Sequence, residues 1–234
     1  MSLIIGSAQF GLDYGISNKN GVVAVSEIKK IINLAESNHI NEIDSAVNYG
    51  SSQAAIGSIN SSLIVSSKLP AIDLDGDNVE QNITEIITTS LKTLNRANLK
   101  NLYLHNPNQL FEPNGALLYN CLKKLQADKL IKGIGMSVYE PDELEKLMQY
   151  FDFDTVQIPF SLVDQRFASN NLLERLVMKN VEINCRSIFL QGLLLMPYKK
   201  IPEKFKKWES LFRVWGEWLY ENKIDPAHAC IAGV

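Results

Sequence analysis

The chain has 234 residues, of which 46% are apolar and 21% are charged, and its formal net charge is −3. These values are typical of a globular protein with one sizeable core. They exclude the basic field of a nucleic-acid-binding protein and the polybasic anchor of a membrane-surface protein. We see no signal peptide and no apolar run of the roughly 18 residues that a membrane span requires. The three cysteines, Cys121, Cys185 and Cys230, are far apart, which predicts reduced thiols in a cytoplasmic protein without disulfides or a metal site.

Short apolar runs alternate with segments of helical periodicity along the chain. The apolar runs predict seven strands, at residues 3–7, 40–44, 63–65, 102–104, 131–136, 155–158 and 181–187. Helices are predicted at residues 26–35, 54–59, 83–94, 117–128, 141–150 and 172–178, and again after Pro202 and Pro226. Ser26 is the predicted N-cap of the first helix. A strand and its helix together occupy about 30 residues, the length of a βα unit.

This alternation predicts a parallel sheet with crossover helices. A doubly wound open sheet is the competing architecture, and it usually carries a Gly-x-Gly-x-x-Gly loop after its first strand. Residues 6–11 read Gly-Ser-Ala-Gln-Phe-Gly and do not fit that pattern. We therefore predict a (β/α)8 barrel of the TIM type, formed by residues 1–234 as one domain. We expect it to lack the eighth strand and helix at its C-terminal end, which would expose the edges of the first and seventh strands.

Four polar residues follow or end the second, third and fourth predicted strands: Asp44, Tyr49, Lys68 and His105. In a barrel, the C-terminal ends of the strands meet at one mouth, where the chemistry of this architecture takes place. A tyrosine hydroxyl can protonate the oxygen of a carbonyl that receives hydride, and a nearby lysine is expected to lower the pKa of that hydroxyl. An aspartate would hold the lysine, and a neutral histidine would orient the carbonyl.

Each of these side chains, taken alone, has an ordinary structural interpretation. Asp44 alone is compatible with a helix cap, and Tyr49 with a packed aromatic residue. Lys68 alone suggests a solvated lysine, and His105 a histidine with satisfied hydrogen bonds inside the fold. Their joint placement at successive strand ends favours a common site.

The segment from Asp44 to Gly50, which reads Asp-Ser-Ala-Val-Asn-Tyr-Gly, resembles the Asp-x-Ala-x-x-Tyr-Gly signature of the aldo-keto reductases. Lys68 and His105 fall on the lysine and histidine that complete the catalytic tetrad of that family. The resemblance implies that Asp44, Tyr49, Lys68 and His105 reduce a small-molecule carbonyl substrate. It implies hydride from NADPH, with NADH as the alternative, and no metal ion.

The resemblance also implies positions for the cofactor. Ser137 and Gln157 match residues that hold the nicotinamide carboxamide, although Val138 stands where the family usually has asparagine. The alternative for Gln157 is a buried amide that is hydrogen-bonded within the barrel.

The segment after the seventh strand, residues 186–193, resembles the stretch that lies along the nicotinamide ring and the pyrophosphate. It implies cofactor contacts for Arg186, for Ser187, and for the backbone near Gln191 and Gly192. Arg186 is equally compatible with a structural ion pair. In the family the eighth unit holds the adenosine end of the cofactor, so we expect weak cofactor binding by the 234-residue chain.

Two other classes of function stay open at this point. One is a non-catalytic remnant or regulatory subunit, since some relatives of this family serve that purpose. The other is a lyase or aldolase barrel in which Lys68 forms a Schiff base.

Residues 8–16 are similar to bacterial aldo-keto reductases associated with surface-sugar biosynthesis, which favours a polar, sugar-type carbonyl substrate. The sequence does not indicate an oligomeric state.

Overall fold

A computed structural model describes residues 2–169 and 171–234 and contains one sheet of seven parallel strands, whose order in the sheet is their order in the chain. The strands are β1 (Ile4–Gly6), β2 (Glu42–Asp44), β3 (Ile64–Leu69), β4 (Leu99–Leu104), β5 (Ile131–Ser137), β6 (Thr155–Pro159) and β7 (Glu182–Arg186). The predicted architecture is confirmed: the described residues form a curled sheet of the (β/α)8 type with seven of its eight units.

Helices follow the strands and cover the outside of the sheet. They are α1 (Val25–Ser37), α2 (Ser52–Gly57), α3 (Val79–Leu94), α4 (Gly115–Ala127), α5 (Pro141–Tyr150), α6 (Leu172–Met178), α7 (Glu209–Asn222) and α8 (Pro226–Ala232). Buried side chains of the strands and of α1 to α6 form one continuous apolar core, which includes Ile32, Ile43, Ile87, Leu122 and Val156.

Three local predictions need correction. The N-cap of α1 is Ala24, and Ser26 lies inside the first turn. β3 continues past the predicted end and includes Lys68, because the pairing with β4 runs on from Ser67 to Leu69. The helix predicted after Pro202 begins as a 3-10 segment and becomes α-helical only at Glu209.

The curl of the sheet is visible in an ion-pair network near the N-terminal ends of the strands. Lys100 of β4 donates to both carboxylate oxygens of Glu42 on β2, at 2.8 and 2.9 Å, and to Glu182 on β7 at 2.9 Å. β2 and β7 are five positions apart in the sheet. One lysine can therefore reach both only because the sheet curves round on itself.

A polar layer lies above this network. The hydroxyl of Tyr103 on β4 lies 3.2 Å from Oγ1 of Thr155 on β6 and accepts a hydrogen bond of 2.9 Å from Nδ2 of Asn184 on β7. Gly135 of β5 makes room for the tyrosine ring, because a Cβ at position 135 would lie 2.4 Å from Cδ1 of Tyr103.

We therefore expect Gly135→Ala to lower the free energy of unfolding by about 1–3 kcal/mol, since the ring and its hydroxyl partners restrict each other's movement. Urea denaturation measures the change. Gly76→Ala is the matched control, because a Cβ at Gly76 would have no atom within 4 Å. Equal stability of the two variants would contradict the packing argument.

A second apolar cluster packs α7 and α8 against the segment that follows β7. Its buried members are Leu193, Leu194, Phe212 and Cys230. The segment is also bound to the loop after β1, because the carbonyl oxygen of Gln191 accepts a hydrogen bond of 2.8 Å from the N–H of Ile16.

Within the described part of the chain, no helix combines the length and apolar character needed to cross a membrane.

Candidate active site

The centre of the predicted site is an ion pair between β2 and β3. Asp44 ends β2 and is paired in register with Ser66 of β3, so Lys68 lies just beyond it. The ammonium group of Lys68 donates to Oδ2 of Asp44 and, at 3.1 Å, to the carbonyl oxygen of Ser45. Lys68 is only 1% exposed. A charge this deeply buried requires a partner, and Asp44 supplies it.

Tyr49 and His105 lie beside this ion pair. The Lys68 ammonium group is 5.1 Å from the centre of the Tyr49 ring. The rings of Tyr49 and His105 meet edge to face, with centres 6.4 Å apart. His105 comes directly after β4 and is anchored by its N–H, which donates to Leu69 at 3.0 Å. The structure thus brings all four residues of the predicted tetrad together at the C-terminal ends of β2, β3 and β4.

Backbone packing fixes the turn that carries Tyr49. After β2 the chain continues to follow β3, since the N–H of Val47 donates to the carbonyl oxygen of Lys68 at 3.2 Å. The turn then presses against the loop after β1, where a Cβ on Gly11 would lie 1.9 Å from the carbonyl oxygen of Tyr49. A glycine at position 11 is therefore needed for this close approach of two backbones.

The prediction of a lowered pKa for Tyr49 is wrong for this structure. The pKa of Tyr49 is raised, first by burial and then by the negative charge of Asp44, while Arg186 opposes the shift weakly. The physical reason is that burial removes the water that would solvate a phenolate, and that the carboxylate of Asp44 repels its negative charge. Tyr49 is consequently a neutral phenol at physiological pH, which is the form that donates a proton.

His105 is held in its neutral form. Burial lowers its pKa, the positive charges of Lys68 and Arg186 lower it further, and Asp44 acts in the opposite direction. A neutral imidazole has one N–H donor and one acceptor. It can therefore donate a hydrogen bond to a carbonyl oxygen without carrying a charge.

The lowered pKa of His105 predicts a pH-dependent stability. Below about pH 6.5 the histidine binds a proton in the unfolded protein but stays neutral in the folded protein until the pH reaches its lower folded-state pKa. The free energy of unfolding therefore decreases as the pH falls toward that value. We expect His105→Gln to lose less stability than wild type between neutral and mildly acidic pH, as measured by urea denaturation. His228→Gln, at an exposed position, should lose as much as wild type. Equal losses for both variants would contradict a depressed pKa at His105.

Ser137 ends β5 and is paired in register with Gln157, the middle residue of β6. They are 1% and 5% exposed, respectively. Oε1 of Gln157 is buried without a hydrogen-bond partner within the described residues. The amide is thus not fully bonded within the barrel, and its free acceptor suits a ligand that carries an N–H donor.

Arg186 ends β7 at the same mouth, and the segment after it is sharply turned. Ser187, Gln191 and Gly192 all have positive φ angles, of 62°, 56° and 88°. The N–H of Gly192 donates within the turn to Phe189 at 3.0 Å. Arg186 makes no ion pair within residues 2–169 and 171–234, so the structural ion pair considered from the sequence is not observed.

Sequence reasoning did not single out Tyr103, Tyr139 or Tyr14. Tyr103 lies beneath the tetrad, with its ring centre 5.9 Å from the Lys68 ammonium group. Tyr139 stacks on Arg186, and the negative charge of an ionised Tyr14 would raise the pKa of Tyr49. Tyr103 could have been found from the two-residue period of β4, which places it on the same face as His105. The other two lie in loops, where no period exists.

The sequence model of the aldo/keto reductase family matches residues 2–232. No curated protein matches the chain by sequence. Similar solved structures include a Pseudomonas aeruginosa protein described as an aldo-keto reductase, with 19% identity, a TM-score of 0.65, and coverage of 81% of this chain and 74% of that one. An aldo-keto reductase from Bacillus halodurans has 16% identity, a TM-score of 0.67, and coverage of 86% and 66%. The glycerol dehydrogenase of Gluconobacter oxydans has 17% identity, a TM-score of 0.68, and coverage of 97% and 77%.

Proposed function

The chain belongs to the aldo/keto reductase family, and we propose that it reduces a small-molecule carbonyl compound with Tyr49 as the proton donor. The observation that carries this proposal is the position of the buried Asp44–Lys68 ion pair beside the rings of Tyr49 and His105. We favour a polar, sugar-type aldehyde or ketone as substrate and NADPH as cofactor, with NADH as the alternative.

The residues at the mouth fit a nicotinamide cofactor, which supplies hydride when it is bound. Oε1 of Gln157 has no hydrogen-bond partner within the described residues and would accept a hydrogen bond from the carboxamide of the cofactor, beside Ser137 on the neighbouring strand. Ser187 and the backbone near Gln191 and Gly192 would contact its phosphates. Val138 is fully buried and offers no side-chain donor, so Gln157 and Ser137 would hold the carboxamide without help from a side chain at position 138.

Each side chain of the tetrad has a separate role in the protonation of the substrate. When a carbonyl carbon accepts hydride, negative charge develops on its oxygen, and Tyr49 donates its phenolic proton there. The resulting phenolate is stabilised by the ammonium group of Lys68, which Asp44 holds in place. His105 donates a hydrogen bond to the same oxygen from its neutral ring and so fixes the orientation of the carbonyl.

The geometry does not favour the Schiff-base alternative. A lysine must react as a free amine to form a Schiff base, whereas the Lys68 ammonium group donates to Asp44 and to the carbonyl oxygen of Ser45. Neither this alternative nor a non-catalytic regulatory subunit has a specific observation in its support.

We expect the purified protein to bind NADPH and to oxidise it in the presence of aldehydes and ketones. Quenching of tryptophan fluorescence measures binding, and the loss of absorbance of the reduced cofactor measures turnover. Sugar-type carbonyls should be better substrates than apolar ketones or steroids. Cofactor binding without turnover would support a regulatory subunit, and trapping of a carbonyl compound on Lys68 by borohydride would support the Schiff-base alternative.

A further inference from the structure

Arg186 is fixed in the mouth of the barrel by three contacts. Its Nη2 donates to the carbonyl oxygen of Val138 at 3.0 Å, and its Nη1 donates to Oγ of Ser187 at 3.4 Å. The guanidinium carbon lies 4.1 Å from the centre of the Tyr139 ring. A stacked and hydrogen-bonded guanidinium loses little further freedom when it binds a ligand.

No carboxylate of the described residues forms an ion pair with Arg186. Asp44, the acid of the tetrad, is paired with Lys68. Asp164, whose pKa the charge of Arg186 helps to lower, binds Arg166 with both oxygens at 2.8 Å. Glu140 also binds Arg166, so neither of these two carboxylates is paired with Arg186 within the described residues.

Arg186 ends β7 and so lies at the same end of the sheet as the tetrad. It is close enough to lower the pKa of both Tyr49 and His105. Tyr139, whose ring stacks on the guanidinium group, is 54% exposed. A ligand can therefore approach this part of the mouth from solvent. A guanidinium has five N–H groups, of which two are used by Val138 and Ser187.

We propose that the carbonyl substrate carries a carboxylate or phosphate group that binds Arg186. This inference rests on the proposed reductase function and specifies its substrate class. The remaining N–H groups of Arg186 can bind two anionic oxygens at once, and such charge-assisted pairs are among the stronger hydrogen bonds in proteins. A phosphate of the cofactor is the other source of the same chemistry, and the experiment separates the two.

The test compares substrates that differ in charge and little in shape. We suggest para-formylbenzoate against para-formylbenzamide, and glyceraldehyde phosphate against glyceraldehyde, for wild type, Arg186→Gln and Arg186→Lys. Wild type should show a KM about tenfold lower or more for the anion of at least one pair. Arg186→Gln should abolish that preference by raising the KM for the anion about tenfold or more relative to the KM for its neutral partner, whereas Arg186→Lys should retain part of the preference. Arg213→Gln removes the same charge from the exposed surface of α7 and should retain all of it.

Each other outcome has a distinct meaning. Turnover without preference in either pair would overturn this inference and leave the reductase function intact. A higher KM for NADPH in Arg186→Gln, with the substrate preference unchanged, would assign Arg186 to a cofactor phosphate and also overturn it. If no carbonyl compound is reduced, the proposed function fails, and calorimetric titration with para-formylbenzoate still decides the anion site. Tighter binding by wild type than by Arg186→Gln would support that site, and equal binding would refute it.

Discussion

Replacing Tyr49 with phenylalanine is expected to lower kcat for carbonyl reduction by about 10²- to 10⁴-fold, the range over which a positioned general acid contributes to catalysis. The ring and its contacts with Lys68 and His105 are kept in this variant, and only the proton donor is lost. The Tyr49 hydroxyl makes no hydrogen bond within the described residues, so its removal should change the free energy of unfolding by less than about 0.5 kcal/mol. Steady-state kinetics and urea denaturation measure the two effects.

The matched control removes a tyrosine hydroxyl elsewhere. Tyr119 lies on α4, and its hydroxyl donates to the carbonyl oxygen of Asp152 at 2.8 Å. Tyr119→Phe should lose some stability and keep full activity, which is the reverse of the pattern expected for Tyr49→Phe. Binding of NADPH should be unchanged in both. Retention of more than about a tenth of wild-type kcat by Tyr49→Phe would show that another group donates the proton.

The fold could be predicted from the sequence because each βα unit is coded locally. The alternation of short apolar runs with helical periodicity depends only on neighbouring residues, and it identified seven strands in parallel order. The errors occur where distant pairing decides an end. β3 extends to Leu69 because β4 offers hydrogen bonds as far as Leu104, and nothing within residues 63–69 alone indicates that.

The membership of the site was also predictable, because a strand end fixes where a side chain lies. The electrostatics of the site could not be predicted from the sequence. The pKa of Tyr49 depends on burial and on the nearby negative charge of Asp44, and both are known only when the strands are packed together. The same holds for Arg186: it has no carboxylate partner within the described residues, because Asp164 and Glu140 are paired with Arg166.

Removal of Lys68 is expected to produce the largest loss of stability. Oδ2 of Asp44 is paired with this lysine, and Oδ1 is buried without a hydrogen-bond partner within the described residues. In Lys68→Met the carboxylate would stay buried without a cation, which costs about 3–5 kcal/mol. Lys30→Met is the control, because the Lys30–Glu27 pair has side chains that are 74% and 54% exposed, and loss of such a pair costs about 1 kcal/mol at most.

The double variant Asp44→Asn with Lys68→Met separates stability from function. It removes the charge that the single variant leaves uncompensated, so we expect it to be about 1–3 kcal/mol more stable than Lys68→Met. Neither variant should reduce carbonyl compounds at a wild-type rate, because no ammonium group remains to stabilise the Tyr49 phenolate. If the double variant were no more stable than the single one, the loss would come from packing around the lysine stem. If the double variant recovered activity as well as stability, Lys68 would have only a structural role. The proposed stabilisation of the Tyr49 phenolate by Lys68 would then be wrong.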